Sequence, residues 1–273
     1  MFFGWQKSVK NGKIEVSLDE ITQGDAIVMK RPLFSDTTDT AVNNVFSTER
    51  VIQAPTLDLP DFLQPNTRLK MDGLKLLSHL PNESIPVTFL DPQYRGVLDK
   101  MNYGNEGKSR EQRRCALQQM PEELIMEFVR GIDNALIPSG HLFLWMDKFH
   151  LCQDFNNWFD GTQLEIVDLI VWNKERIGMG YRSRRVSEYC VVLQKQPKRA
   201  KGVWKVHNIP DVWSEPRKTK DHPHQKPVGL QAELIAAVSN ESDYVLDPAA
   251  GSFSVMEAAH RQNRNFIGCD LEG

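Results

Sequence analysis

The fold of this chain is decided by a stretch near its C-terminal end, which reads Tyr244-Val245-Leu246-Asp247-Pro248-Ala249-Ala250-Gly251-Ser252-Phe253. Its apolar start predicts a buried strand, and the Asp-Pro pair that follows predicts the end of that strand. Residues 254–261 then predict a helix. A strand that turns into a helix is a building unit of α/β sheets, which bind ligands at the carboxyl ends of their strands. We therefore expect a ligand site at this turn.

Two other segments have a similar character. Residues 85–90 predict a buried strand that runs into Asp91-Pro92-Gln93-Tyr94, and a predicted helix at 228–237 is preceded by His222-Pro223-His224-Gln225-Lys226-Pro227. Each segment alone is a weak signal, because an Asp-Pro pair after a strand is often only a turn. All three in this order, each at the edge of a predicted element, form a specific pattern.

The rest of the chain from residue 68 alternates predicted strands and helices. Further strands are predicted at 141–146, 166–172, 189–193 and 266–268, and further helices at 74–80, 121–136 and 151–159. This alternation predicts an α/β fold with a mixed, mainly parallel sheet and helices on both faces. Residues 1–66 are poorly periodic and are expected to form an N-terminal arm with one hairpin at most. Residues 94–120 are expected to form a long polar loop, which in a compact domain is usually functional or mobile.

The charge of the chain is unevenly distributed. Lysine and arginine number 33 against 36 acidic residues in 273, a net charge of −3 that by itself argues against a nucleic-acid partner. The segment from Lys174 to Lys226, however, holds 14 basic and 5 acidic residues, so it carries +9 and the remainder −12. This basic strip also contains Trp204 and Trp213, and its composition favours binding of a polyanion such as a nucleic acid. A solvated loop with scattered lysines remains the alternative.

Several functional classes are not expected. No apolar run approaches the ~18 residues of a membrane span, and the N-terminus lacks the pattern of a signal peptide, so we expect a cytoplasmic protein with no membrane partner. The four cysteines form no C-x-x-C pair and the histidines form no H-E-x-x-H motif. We therefore expect reduced thiols and no metal site.

In this motif order the sequence resembles the amino-methylating DNA methyltransferases of the β group, which use S-adenosylmethionine. The resemblance covers about three quarters of the chain, from Arg68 onward. It rests on the three motifs above, on a lead-in at 72–74 and 80–84, and on residues 170–174 with Arg185 and Glu188. Two motifs depart from the family pattern. Gln93 stands where a second proline is common, and Ala249 and Phe253 stand where phenylalanine and glycine are common.

The resemblance implies a Rossmann-like methyltransferase fold with permuted motif order and a small recognition insert. It divides the chain into an N-terminal arm at 1–66 and a catalytic domain at 67–273, which contains a basic target-recognition segment at 174–220. The arm is a candidate for the subunit interface or for DNA contact.

The resemblance also implies roles for individual residues. The Asp91 carboxylate and the Pro92 carbonyl would bind the amine of the target base, and Tyr94, after Gln93, would stack on that base once it is flipped out. The expected cofactor-binding residues are Asp72, Asp91, Gln225, Lys226, Asp247, Ala249, Gly251, Ser252, Phe253 and Asp270. Among them, Lys226 would meet the methionine carboxylate and Asp270 the ribose hydroxyls. The structural alternatives are a core-capping aromatic for Tyr94 and solvated surface charges for Lys226 and Asp270.

DNA contact is expected from basic residues in two regions, namely Arg110, Arg113, Arg114, Arg182, Arg184, Arg185, Lys198, Arg199, Lys201 and Lys205. The implied partner is double-stranded DNA, and many relatives are homodimers, so we expect a homodimer. The family implies a bacterial or phage-encoded protein of the cytoplasm, associated with the nucleoid, and a setting in restriction–modification.

The predicted function is site-specific methylation of adenine N6 in DNA. Asp91 favours adenine, because relatives that act on cytosine N4 more often carry serine at that position. Three alternatives remain open: a cytosine-N4 methyltransferase, a catalytically silent methylase-like DNA-binding protein, and an enzyme that acts on RNA.

Overall fold

The computed structural model of the chain describes the strand backbone at 6–10 and 13–17 and residues 53–92, 120–152, 155–178, 182–217 and 225–273. The predicted site residues that lie outside these ranges are Gln93, Tyr94, Arg110, Arg113 and Arg114. The chain divides into two units, Met1–Ala41 and Val42–Gly273.

The first unit contains an antiparallel hairpin. Strand β1 spans Gln6–Lys10 and strand β2 spans Lys13–Ser17, with Lys10 opposite Lys13. The two residues between the strands are Asn11-Gly12, a pair strongly favoured in two-residue hairpin connections.

The second unit is built on one eight-stranded sheet, described in the order β3-β10-β9-β4-β5-β7-β6-β8. Its strands are β3 (Leu69–Lys70), β4 (Ile85–Leu90), β5 (Leu136–Met146), β6 (Leu164–Asn173), β7 (Ser187–Lys195), β8 (Val212–Ser214), β9 (Tyr244–Asp247) and β10 (Asn265–Asp270). Its α-helices are α1 (Gly73–Ser78), α2 (Glu122–Ala135), α3 (Lys148–Cys152), α4 (Val228–Val238) and α5 (Ser254–Arg261).

The sheet is mixed and mainly parallel, as predicted. Strands β3, β10, β9, β4 and β5 pair in parallel, and β8 is parallel to β6, while β7 is antiparallel to both of its neighbours. The carboxyl ends of β4, β5, β6, β9 and β10 therefore meet the start of β7 at one edge of the sheet, which we call the carboxyl edge. The opposite edge is called the amino edge.

Helices cover both faces of the sheet, as predicted. Alternate residues of β4 show why: Ile85 packs in a core with α1 and α2, whereas Val87 and Phe89 pack in a second core with α4 and α5. All six residues of β4 are buried, which is expected of a parallel strand covered on both sides. Leu57 and Leu63, from the predicted arm, are buried in the first core.

Two predicted elements differ in the structure. Strand β5 begins at Leu136, so it contains the segment Pro138-Ser139-Gly140 that was expected to separate helix from strand. The pairing register shifts between Ile85 and Val87, and Ser139 has a φ of 59°, so an irregularity accommodates these residues inside the strand. The predicted helix at 151–159 is instead the short α3 followed by a 3-10 turn at Asn156–Phe159.

None of the helices in the described part of the chain combines the length and apolar character needed to cross a membrane. Within the described ranges there is also no group of three or more His, Cys, Asp or Glu side chains arranged to hold a metal ion.

Candidate active site

A cavity of about 450 Å³, including its open mouth, lies at the carboxyl edge. It is formed by the ends of β4, β5 and β9 and by the beginnings of α4 and α5. Its walls are Phe89, Asp91, Trp145, Lys226, Gln231, Asp247, Ala249, Ala250, Gly251, Ser252, Ser254 and Val255. Of the residues predicted to bind cofactor, the structure thus brings together Asp91, Lys226, Asp247, Ala249, Gly251 and Ser252. The cavity is where parallel sheets hold their ligands.

The loop between β9 and α5 forms one wall. Gly251 has a φ of 48°, and a Cβ placed on it would have no atom within 4 Å, so the space beside it is open. Phe253 also has a positive φ, 57°, at the position where the family commonly carries glycine. A bulky residue rarely adopts this conformation. The Phe253 ring is buried and packs edge-to-face against Phe266, which offsets the backbone strain.

Asp247 is the most strongly perturbed acid of the cavity. Burial raises its pKa to about 8, and the nearby charges of Asp91 and Asp270 act in the same direction. The backbone N–H of Ala249 donates to Asp247 Oδ1 at 3.2 Å and opposes the increase only in part. At neutral pH this carboxyl group is therefore mostly protonated.

Asp91 and Lys226 belong to a chain of four charges. The Lys226 ammonium lies 2.5 Å from Asp91 Oδ2 and 3.3 Å from Glu188 Oε2, and Glu188 Oε1 in turn accepts from Lys174 at 3.1 Å. Burial alone would lower the pKa of Lys226, but Asp91 and Glu188 raise it well above the ordinary value. Burial alone would raise the pKa of Glu188, but Lys226 and Lys174 hold it at about 2. Glu188 and Lys226 are thus charged at neutral pH, and Lys226 has two protein carboxylates as partners.

Helix α4, which follows Lys226, is capped by a residue distant in sequence. The Glu215 carboxylate accepts from the backbone N–H groups of Gly229 and Leu230, each at 3.1 Å, and from Trp213 Nε1 at 2.9 Å. A carboxylate is favourable at the positive end of a helix. A Cβ on Gly229 would lie 2.5 Å from Glu215, so only glycine allows this close approach. The cap ties α4 to the end of β8.

Several predicted cofactor residues lie outside the cavity wall. Asp72 caps α1 by accepting from Lys75 N at 3.0 Å, and Asp270 Oδ1, at the end of β10, accepts from Glu272 N at 2.9 Å. Gln225 lines a separate cavity of about 190 Å³ beside Trp172 and Glu215. Phe253 and Pro92 are buried beside the site.

The structure does not bring the predicted DNA-binding residues onto one surface. Arg182, Arg184 and Arg185 precede β7 and lie at the carboxyl edge. Lys198, Arg199, Lys201 and Lys205 follow β7 and lie beyond the amino edge. There the Lys205 ammonium donates to the Ser239 carbonyl at 2.6 Å, and Lys198 pairs with Glu165. The antiparallel course of β7 separates the two groups.

Six wall residues were not predicted as site residues from the sequence: Phe89, Trp145, Gln231, Ala250, Ser254 and Val255. Phe89 and Trp145 are next to last in buried strands and look like ordinary core residues. Gln231 is a polar residue among the apolar residues of α4, and it is 1% exposed. A polar residue at an otherwise apolar helix position is a signal by which the sequence could have identified it.

Comparisons with known proteins point to one family. A family model described as "DNA methylase", for N6 and N4 methyltransferases, matches residues 87–273. Type II methyltransferase M.HhaII of Haemophilus parahaemolyticus is 52% identical over 207 residues, which cover 76% of this chain and 91% of that protein. DNA adenine methyltransferase YhdJ of Escherichia coli (strain K12) is 42% identical over 67 residues, which cover 22% of this chain and 23% of that protein.

The solved structure of PvuII DNA methyltransferase (cytosine-N4-specific) has the same fold. Its TM-score is 0.57 at 18% sequence identity, with 76% of this chain and 84% of that chain covered. The resemblance and the methyltransferase fold inferred from the motifs are confirmed. The chain therefore belongs to the DNA methylase family of N6 and N4 methyltransferases.

Proposed function

We propose that this chain transfers a methyl group from S-adenosylmethionine to the N6 amine of an adenine flipped out of duplex DNA. The observation that carries the proposal is the Asp91 carboxylate at the mouth of the cavity, held by Lys226 and adjoining the wall formed by residues 247–252. The domains proposed for this function are the catalytic domain at 67–273, its recognition segment at 174–220, and an N-terminal arm at 1–66.

The residues present fit the methyl donor. It is a cation with an adenosine and an amino-acid group, so its site needs acceptors and a backbone that it can approach closely. Asp247 in the wall and Asp270 at the next strand end supply carboxylates, and Gly251 leaves open space beside the turn. We assign Asp270 to the ribose hydroxyls and Asp72, which caps α1 close to the 247–253 loop, to the adenine side.

Asp91 and Pro92 orient the amine of the target base. S-adenosylmethionine supplies a methyl group bound to a positively charged sulfur. The adenine amine is a poor nucleophile, because its lone pair is delocalised into the ring. Two acceptors, the Asp91 carboxylate and the Pro92 carbonyl, bind its N–H groups and favour a nitrogen whose lone pair faces the methyl carbon. The N–C bond forms as the C–S bond breaks, its electrons remain on sulfur, and the surplus amine proton is released to solvent.

The role that we propose for Lys226 differs from the role predicted from the sequence. The sequence suggested that it meets the methionine carboxylate. Because its ammonium contacts both Asp91 and Glu188, we propose instead that it fixes the position of the Asp91 carboxylate. Tyr94, which lies outside the described residues, is proposed to stack on the flipped base, with Gln93 beside it.

The first experiment is transfer from tritiated S-adenosylmethionine to duplex DNA. The wild-type chain should label DNA, and Asp91→Ala should abolish labelling while DNA binding in a mobility-shift assay is retained. Asp160→Ala, an exposed acid near the amino edge, is the matched control. DNA binding without transfer by the wild type would support the silent binding protein, and preferential labelling of RNA would support the RNA alternative.

The choice between adenine N6 and cytosine N4 is tested by the product. Asp91 and the similarity to an adenine methyltransferase of Escherichia coli favour adenine. Mass spectrometry of nucleosides from the methylated duplex should therefore detect N6-methyladenine. Detection of N4-methylcytosine alone would replace the adenine proposal by the cytosine alternative.

The DNA surface is proposed to lie at the carboxyl edge. Arg182, Arg184 and Arg185 lie there together with the exposed Arg176 and Arg217, and the cavity opens at the same edge. Arg110, Arg113 and Arg114 are retained as predicted contacts from the loop after Tyr94. Because Lys198, Arg199, Lys201 and Lys205 lie beyond the opposite edge, we do not include them in this surface.

We also propose that the chain is a homodimer. Residues 165–169 of β6 precede the part of that strand that pairs with β8, and three apolar side chains there, Ile166, Val167 and Leu169, are 44%, 41% and 39% exposed. An exposed apolar strand edge favours association. Light scattering should give twice the chain mass for the wild type and a lower mass for Val167→Lys/Leu169→Lys. A monomeric wild type would exclude the dimer.

The proposed setting is the cytoplasm of a bacterium, on nucleoid or phage DNA, within a restriction–modification system. The relative from Haemophilus parahaemolyticus is named a Type II methyltransferase. DNA from cells that express the chain should resist cleavage by a nuclease with the same recognition sequence, and sequencing of methylated bases would identify that sequence.

A further inference from the structure

Two buried polar atoms in the cavity wall have no hydrogen-bond partner among the described residues. They are Nε1 of Trp145 and Oε1 of Gln231, and each of the two residues is only 1% exposed. Buried polar groups are satisfied in the great majority of cases, and an exception in a cavity points to a ligand. One of these atoms is a donor and the other an acceptor.

Two residues of the same types elsewhere in the described chain are satisfied by the protein itself. Trp204 Nε1 donates to the Val206 carbonyl at 2.6 Å. The amide of Gln194 donates to the Arg199 carbonyl at 2.8 Å and accepts from Arg199 N at 2.9 Å. The indole and amide groups without partners, those of Trp145 and Gln231, therefore lie in the cavity wall, whereas the two residues of the same types away from the cavity form hydrogen bonds within the protein.

The strand order indicates which part of the methyl donor reaches the pair. Asp270 is the last residue of β10, Asp91 directly follows β4, and Trp145 is next to last in β5. The sheet runs β10-β9-β4-β5. A donor with its ribose at Asp270 and its methyl group at Asp91 extends along this edge. Its remaining group, the amino acid, then reaches the end of β5 and the facing α4, where Gln231 lies.

We infer that Trp145 and Gln231 bind the amino-acid end of S-adenosylmethionine, an inference that rests on the proposed function. The Trp145 N–H donates to the α-carboxylate, and Gln231 Oε1 accepts from the α-ammonium. The Lys226 ammonium lies 5.5 Å from the centre of the Trp145 ring, but Asp91 and Glu188 already bind it. The indole N–H is a donor on this side of the cavity that has no partner among the described residues.

The test is calorimetric binding of three ligands to Trp145→Phe and Gln231→Leu. The ligands are S-adenosylmethionine, its decarboxylated analogue, and methylthioadenosine, which has no amino-acid group. Trp145→Phe should weaken S-adenosylmethionine about ten-fold or more, as expected for a hydrogen bond to a charged group, and leave the decarboxylated analogue unchanged. Gln231→Leu should weaken both of these ligands and leave methylthioadenosine unchanged.

Matched variants separate ligand binding from folding. Trp204→Phe and Gln194→Leu remove the same groups from internal bonds, so they should lower the melting temperature and leave all three affinities unchanged. Without added ligand, Gln231→Leu should melt at or above the wild-type temperature, because it replaces an unsatisfied polar group by an apolar group of similar size.

Unchanged S-adenosylmethionine affinity in both cavity variants, or an equal loss toward methylthioadenosine, would overturn the inference. Failure of the wild type to bind S-adenosylmethionine would contradict the proposed function instead, and the wild-type titration separates these outcomes.

Discussion

Lys226 Nζ lies 2.5 Å from Asp91 Oδ2, so the carboxylate that we assign to amine binding is held by a lysine from the start of a distant helix. The lysine is held in turn by Glu188 from β7. Three segments of the chain thus determine where one reacting group lies. A small displacement of such a group is expected to cost much of the rate, because the reaction depends on orientation.

Glu188→Gln tests this positioning. The change removes one carboxylate partner of Lys226 and leaves Asp91 and its chemistry in place. We expect kcat to fall at least about ten-fold with a smaller change in the KM for DNA. Glu165→Gln, which alters an exposed ion pair at the amino edge, is the control and should leave kcat unchanged.

The same substitution should change the acid stability. Because the pKa of Glu188 is about 2 in the folded chain and near 4.5 when unfolded, its contribution is present above about pH 4.5 and is lost as the pH falls toward 2. Urea unfolding at pH 7 should therefore show Glu188→Gln to be less stable by about 1–3 kcal/mol. The deficit should shrink below pH 4, and equal stability at pH 7 would contradict this role.

Asp247 should make both stability and cofactor binding depend on pH in the neutral range. Its pKa is raised by burial to about 8 from an ordinary value of 3.8. The contribution of this group to stability is therefore complete below about pH 4 and is lost as the pH rises through 8. Asp247→Asn lacks this loss and should be more stable than the wild type at pH 8.

Cofactor affinity should rise with pH over the range in which stability falls. The cationic cofactor favours ionised Asp247, so the wild-type Kd should fall as the pH approaches 8 and level off above it. Calorimetry from pH 6 to 9 should show this slope in the wild type and a flatter profile in Asp247→Asn. A wild-type affinity that is independent of pH would exclude ionisation of Asp247 on binding.

At position 253 a glycine variant should be more stable than an alanine variant, the reverse of the usual order of stability. Both Phe253→Ala and Phe253→Gly lose the buried ring, but only alanine keeps the cost of a φ of 57°. We expect both variants to be less stable than the wild type, with the glycine variant about 1 kcal/mol more stable than the alanine variant. Chemical denaturation measures the difference, and a more stable alanine variant would show that the strain is not significant.

The two edges of the sheet should differ in DNA binding. Arg182→Ala/Arg184→Ala at the carboxyl edge should weaken binding to duplex DNA and lower the salt dependence by roughly one unit of slope for each phosphate group that no longer has a cationic partner. Lys198→Ala/Lys201→Ala, with the same change in charge beyond the amino edge, is the matched control. Equal weakening by both pairs would contradict the surface that we propose.

Much of the fold could be predicted because its signals are local. The buried strand of residues 85–90 and the turn at 247–253 are visible in short windows of sequence, and their apolar runs and glycine act on nearby backbone. The start of β5 was not predicted, because an irregularity of pairing with β4 keeps Pro138 and Gly140 inside a strand. That pairing involves residues about fifty positions away.

The candidate site was predicted only in part, for a related reason. Asp91, Lys226 and Asp247 lie in motifs and were expected. The roles of Glu188, Glu215 and Gln231 depend on which elements pack together, and no local pattern contains that information.

The sequence alone determined the alternation of strands and helices, the family, and the acids and glycine that follow the central strands, since each depends on neighbouring residues or on a short motif. The tertiary structure decided that Lys226 binds Asp91 and Glu188, that the basic strip is divided between two edges, and that Trp145 and Gln231 face one cavity. These relationships arise from strand order and direction, which bring distant residues within a few ångströms of each other and carry others to opposite ends of the sheet.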